Sequence, residues 1–165
     1  MADYRYVRQT DGFTCGPTVA LVASAALDPA YGATVSDEAA EQHRIHAAAN
    51  RLWPRRLGTT PWGVAGAISA HTAPLGTRYG WRLFRGDLRA AVAAVECDWP
   101  VAMLIGAGIP RHWVLLVGHS DGVLQCFNPA RGAVPPVPVA DVAGRRLGVL
   151  GFPRAFALVL PTRYR

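Results

Sequence analysis

The chain contains no lysine; all 17 of its basic residues are arginine. That absence excludes chemistry built on a lysine amine: Schiff-base enzymes, pyridoxal phosphate enzymes with an internal lysine, Walker P-loops and Ser-Lys dyads. Cysteine is scarce and odd in number. Cys15, Cys97 and Cys126 lack the spacing of a disulfide scaffold, which points to free thiols in the cytoplasm. No charge-free run is long enough to span a membrane. The segment Met1-Ala2-Asp3-Tyr4-Arg5-Tyr6 is polar and charged where a signal peptide needs an apolar run. Acidic residues number only 11, which leaves a formal charge of +6. The arginines are scattered, however, with adjacent pairs only at Arg55-Arg56 and Arg145-Arg146. With no nucleic-acid motif beside them, they read as a solvated basic surface and not as a nucleic-acid interface. The oligomeric state leaves no mark in the sequence.

What is present is a core. Of 165 residues 51% are hydrophobic, enough for one domain spanning 1–165, while 17 glycines and 13 prolines imply many turns. Residues 3–8 partly alternate and suggest a short edge strand. The run from Gly16 to Leu27 is apolar nearly all round, as in a buried helix, and Asp28-Pro29 ends it; Tyr31-Gly32 reads as loop. Ser36 is placed to cap a second helix reaching about Leu52, with acids in its first turn. Thr60 and Pro61 announce a third over about 61–72, and Asp87–Val95 form a fourth. Trp81–Phe84 suggests a short strand.

The second half changes period. Val101–Ile105 and His112–Gly118 are continuous apolar runs, as in strands buried on both faces. Ser120-Asp121-Gly122 is a tight turn with Val123–Phe127 returning as the hairpin partner. Pro135–Pro138 reads as an extended loop and Arg154–Leu160 as a last strand. Helices first and strands later argue an α+β fold with a mostly antiparallel sheet.

The stretch Gln9-Thr10-Asp11-Gly12-Phe13-Thr14-Cys15-Gly16-Pro17-Thr18 puts a cysteine where a loop becomes a helix. Gly12 and Gly16 would loosen the loop, and Pro17 suits a first turn. Unpaired N–H groups and the positive end of the macrodipole stabilise a thiolate there, so the pKa of Cys15 is expected to fall. The Gln9 amide, six residues upstream, is placed to swing beside the thiol and donate to an oxyanion. The alternative is that Cys15 is a small buried apolar residue.

A cysteine nucleophile needs a base, and the base an orienter. A turn at 120–122 pairs His112 with a residue between about 128 and 131, so His112 and Asn128 meet at one end of the sheet. His119 sits at the turn end, far from Asn128. Cys126 lies within a strand, and Cys97 ends a helix at the wrong pole of the dipole. His43 and His46 share a helix face at metal-ligand spacing but lack a third ligand, and His71 is isolated. No metal or cofactor is implied.

On these residues the chain resembles the papain-like cysteine peptidase superfamily. It is most similar to the peptidases that process double-glycine leader peptides of bacteriocins, and to their stand-alone relatives. Gln9 with Cys15-Gly16-Pro17 resembles their oxyanion glutamine and nucleophile motif. Gly58-Thr59-Thr60-Pro61 and Trp99-Pro100-Val101 are similar to segments common in those relatives. His112–Gly118 with Asn128-Pro129-Ala130-Arg131-Gly132 resembles the histidine hairpin and third catalytic position. The likeness spans about residues 5–135. It departs at Asn128, where the leader peptidases usually carry aspartate and the papain branch asparagine. The resemblance implies a papain-like fold, a peptide or protein substrate and hydrolysis through a thioester by Cys15, His112 and Asn128, with Gln9 in the oxyanion hole. The same constellation serves acyl transferases of transglutaminase type and deamidases. An inactive peptide-binding module is the reading outside enzymology.

Overall fold

The computed structural model describes residues 7–163, leaving aside the Arg55 side chain. The expected edge strand therefore lies outside the described residues at positions 3–6, and Val7 and Arg8 belong to no strand. Helix α1 spans Cys15–Leu27, α2 Pro29–Thr34, α3 Glu38–Ala49 and α4 Pro61–Thr72. Strand β1 spans Tyr79–Leu83 and α5 Arg89–Glu96. Then come β2 (Val101–Gly106), β3 (Pro110–Ser120), β4 (Val123–Phe127), β5 (Pro136–Pro138), α6 (Val139–Ala143) and β6 (Arg154–Pro161).

The six strands form one sheet in the order β1-β6-β2-β3-β4-β5, each neighbouring pair antiparallel. Side-chain alternation feeds two cores. Ala102, Leu104, Trp113, Leu115, Ala157 and Val159 face α1, α3 and α4. Val101, Met103, Ile105, Val114, Leu116 and Leu158 face α5, α6 and the 147–150 turn. Both sheet faces are thus covered, which is why β2 reads as an unbroken apolar run.

Local chemistry sets the element ends. The Thr60 hydroxyl accepts the Gly63 N–H at 3.1 Å, so Thr60 caps α4 with Pro61 behind it, as the sequence indicates. The cap of α3 is Asp37 and not Ser36: its carboxylate accepts the Ala40 N–H at 3.0 Å. Asp28 ends α1 but also caps α2, accepting from Tyr31 N–H at 3.1 Å, so the segment read as loop is a short helix. Asp121 (φ 51°) and Gly122 (φ 75°) make the two-residue hairpin turn that matches the strand twist. The 136–138 segment read as loop pairs with β4.

Gly16 does not loosen a loop. It lies buried in the first turn of α1, where a Cβ would stand 2.7 Å from the Thr59 Cβ and 3.2 Å from the Trp113 Cδ1. Its lack of a side chain lets the helix start seat against both. We expect Gly16→Ala to lower stability by about 1–3 kcal/mol through overpacking, although alanine is the better helix former. Chemical denaturation beside Gly12→Ala, whose Cβ meets nothing within 4 Å, checks this. A Gly16→Ala protein as stable as the parent would contradict it.

Candidate active site

Cys15 is the first residue of α1 and is 4% exposed. Three backbone N–H groups, those of Trp113, Gly16 and Cys15 itself, favour its thiolate. Burial opposes them and wins, and the negative charge of Asp11 adds to burial, so the thiol sits above its ordinary 9.0. This corrects the expectation of a depressed pKa: the helix start donates as foreseen, but desolvation is the larger effect. We expect the rate of Cys15 alkylation by iodoacetamide to climb with pH through and beyond 9.0. A rate already flat from pH 6 to 9 would show a preformed thiolate instead. Cys126, fully buried and pushed up to about 12, should remain unlabelled in the folded protein.

His112 opens the inner part of β3, opposite Ile105 of β2. It is buried, and its Nε2 lies 2.9 Å from Asn128 Oδ1. That oxygen also accepts the Ala130 N–H at 3.1 Å, which fixes the orientation of the amide. A carbonyl oxygen can only accept, so the neutral imidazole carries its proton on Nε2 and its lone pair on Nδ1. Burial holds the ring below its ordinary 6.5, against the opposing effect of the Asn128 bond. The Phe152 ring lies 6.0 Å away, tilted by 36°. The Asn128 backbone is fastened in turn: its N–H donates to Ala133 O at 2.8 Å and its carbonyl accepts from Gly132 at 2.9 Å.

The thiol meets the strand that carries the imidazole. The sulfur faces the backbone N–H of Trp113, the residue after His112, and no hydrogen bond joins Cys15 to His112 directly. Gln9 meets the other side of the site. Its backbone N–H donates to Pro129 O at 2.9 Å, directly after Asn128, and its Nε2 donates to Asp11 O at 2.8 Å. The structure brings Gln9 to the Asn128 loop and does not hydrogen-bond it to Cys15. Its Oε1 is buried and has no partner among the described residues.

The other candidates stand elsewhere. His119 Nδ1 is 2.8 Å from Glu96 Oε1, away from Asn128. His43 is exposed and lies 3.4 Å from the Thr10 hydroxyl, whereas His46 is buried. His71 stacks on Tyr31 with ring centroids 3.8 Å apart. Among the described residues no three His, Cys, Asp or Glu side chains come together as a metal site. No helix among them is long and apolar enough to cross a membrane.

A groove of about 330 Å³ opens beside Cys15, walled by the 57–62 segment on one side and Ile109, Pro110 and Arg111 on the other. Leu57, Trp62 and Ile109 line it while 61%, 56% and 57% exposed, and among the described residues Arg111 is the one charged side chain in its lining. Trp53 packs edge-on to Trp62 at 6.3 Å, and Trp81 follows at 5.9 Å. Residue-type patterns miss this aromatic ridge, because its tryptophans come from three separate segments.

No family model and no curated protein matches the chain. Solved structures do match. One is the peptidase domain of Streptococcus ComA, a bifunctional ABC transporter of a quorum-sensing pathway, at a TM-score of 0.56 and 18% identity, covering 95% of this chain and 97% of that one. Another is a double-glycine motif protease from an AMS/PCAT transporter, solved with its leader peptide, at a TM-score of 0.54 and 13% identity, covering 94% and 90%. At this level of identity the likeness concerns the fold: an α+β peptidase-domain architecture with a six-stranded antiparallel sheet, shared across nearly the whole length of both chains.

Proposed function

We propose that this chain is a cysteine peptidase with Cys15 as nucleophile, His112 as base and Asn128 as orienter. One observation carries the reading: Asn128, its amide pinned by Ala130, holds the proton of His112 on Nε2, and the next backbone N–H of that strand faces the Cys15 sulfur. An imidazole held in one tautomer by a neutral amide is poised to take a proton on the other nitrogen.

With the thiol raised and the imidazole lowered, the pair rests uncharged. Substrate binding brings them into contact, and the thiol proton passes to His112 Nδ1 as sulfur attacks the amide carbonyl. Catalytic hydrogen bonds of this kind often tighten only in the complex. The N–H of Cys15 and the Gln9 amide hold the developing oxyanion. His112 returns its proton to the leaving amine, and water then cleaves the thioester.

The groove supports a peptide substrate with apolar side chains near the scissile bond, with Arg111 suited to a neighbouring acidic group. The test is a peptide library incubated with the wild type and with Cys15→Ala, read by mass spectrometry with and without an amine nucleophile. Cleavage that depends on Cys15 supports the peptidase. Amine incorporation in place of hydrolysis would make the enzyme an acyl transferase, and loss of ammonia from glutamine a deamidase. Peptide binding without any covalent change would leave a binding module.

A further inference from the structure

We infer that Gln42, on α3 and outside the proposed catalytic set, is a positioning residue for Gln9. This rests on the reading of Gln9 as an oxyanion donor. Gln42 is 1% exposed, a burial that a neutral amide tolerates only when its polar atoms are bonded. Both are. Its Oε1 accepts the Thr10 N–H at 3.0 Å, and its Nε2 donates to the Arg8 carbonyl at 2.8 Å. The two bonds grip the backbone on either side of Gln9, as the edge of a neighbouring strand would.

Four further bonds complete the frame. The N–H of Gln9 is held by Pro129 O at 2.9 Å. The Thr14 hydroxyl accepts from the N–H groups of Thr10 and Asp11 at 3.0 and 3.2 Å, folding the loop back towards Cys15. The Asp11 carbonyl takes one hydrogen of the Gln9 Nε2 at 2.8 Å. An amide nitrogen has two hydrogens, so this bond leaves the second free while setting where it points. Asp11 O therefore turns the donor side of the Gln9 amide, and Gln42 anchors the backbone that carries it. Without Gln42, the Arg8 carbonyl loses that partner and Thr10 N–H keeps only the Thr14 hydroxyl, so the backbone on the Arg8 side of Gln9 gives up this anchor. A misplacement of about 1 Å at such a donor costs up to about 10²-fold in transition-state stabilisation.

A peptidyl aldehyde separates this role from simple structural support. In acetyl-Phe-glycinal the Cys15 sulfur adds to the aldehyde carbon, the C=O π bond opens to oxygen, and the thiol proton ends on that oxygen as a hemithioacetal. The oxygen sits where an oxyanion would, so adduct affinity reads the hole. Alkylation by iodoacetamide at the same pH reads only the thiol. Gln42→Leu should weaken the aldehyde adduct by about 10- to 100-fold while Cys15 alkylation stays within about twofold of wild type.

Gln42→Glu supplies a second, pH-dependent readout in case the leucine variant folds poorly. Ionised, its carboxylate still accepts from Thr10 but offers nothing to the Arg8 carbonyl. Protonated, it can serve both. Burial raises a carboxyl pKa, so the protonated form gains ground as pH falls from 7.5 to 5. The affinity gap between Gln42→Glu and wild type should narrow over that range. Equal losses in aldehyde affinity and alkylation, or a gap indifferent to pH, would reduce Gln42 to ordinary structural support and overturn the inference. If Gln9→Ala leaves the adduct unchanged, or wild type forms no adduct, the oxyanion reading of Gln9 itself falls. A large loss in Gln9→Ala with none in a folded Gln42→Leu sinks only the positioning role.

Discussion

Cys15→Ala is expected to abolish peptide cleavage, and His112→Ala to lower it by about 10²- to 10⁴-fold, the usual contribution of a positioned general base. Circular dichroism spectra like that of the parent would keep these losses from being folding defects. The reasoning follows from the resting protonation states. Burial lifts the Cys15 thiol above 9.0, so little thiolate exists at neutral pH without a base to take the proton. Among the described residues the one imidazole at this end of the hairpin is His112; His119 is engaged with Glu96 elsewhere. As the proposed base, His112 must be neutral, and burial holds its pKa below 6.5, so the acid limb of kcat/KM should fall below pH 6.5. Asn128→Asp adds a negative charge at 2.9 Å from Nε2 and favours the imidazolium, which should move that limb upward by about one unit or more. An acid limb unmoved in Asn128→Asp, or wild-type rates in His112→Ala, would remove His112 from the mechanism.

The sign for stability is separate. A histidine whose pKa is depressed in the folded state resists protonation there, while the unfolded chain takes the proton. This contribution is complete above about 6.5 and is lost as pH falls through that value towards the folded pKa. Acid therefore weakens both the fold and the proposed base through the same buried ring.

Much of this architecture is legible in the sequence, because its signals are local. Thr60-Pro61 is a cap and a first turn whatever surrounds it, and β2 needs an unbroken apolar run because both of its faces are covered. The meeting of His112 with Asn128 follows from hairpin geometry, since a turn at Asp121-Gly122 leaves few positions to face His112. What sequence reading misses depends on distant partners. The thiol pKa is set by how deeply the start of α1 is buried, and that depth comes from Thr59 and Trp113, far along the chain. Gln42 grips residues 32 and 34 positions earlier, and nothing around it on α3 marks it out. Asp37 displaces Ser36 as the cap of α3 by a shift of one residue, within the ordinary spread of helix ends. Pro136–Pro138 becomes a strand only because β4 has a free edge to pair with it.

The other large effect should come from Trp113, which joins the parts of the site. The residue is 2% exposed, its backbone N–H faces the Cys15 sulfur, its Cδ1 lies against Gly16, and its indole N–H donates to the Thr59 carbonyl at 2.9 Å. Trp113→Ala removes the whole ring and should destabilise the protein by about 3–5 kcal/mol, the usual range for emptying a large aromatic site. Trp113→Phe keeps most of the packing but leaves the buried Thr59 carbonyl without its donor, a cost of about 1–3 kcal/mol. Denaturant unfolding measures both, and the ordering Ala well beyond Phe is part of the expectation. Function should respond as well, because Thr59 and Trp113 both line the groove beside Cys15. In Trp113→Phe the freed 57–62 wall can shift, so KM for a cleaved peptide should rise more than kcat falls, since the thiol and imidazole keep their own supports. Equal stability of the phenylalanine variant and wild type would show that the indole bond to Thr59 is dispensable. An unchanged KM would show that the groove wall stands without it.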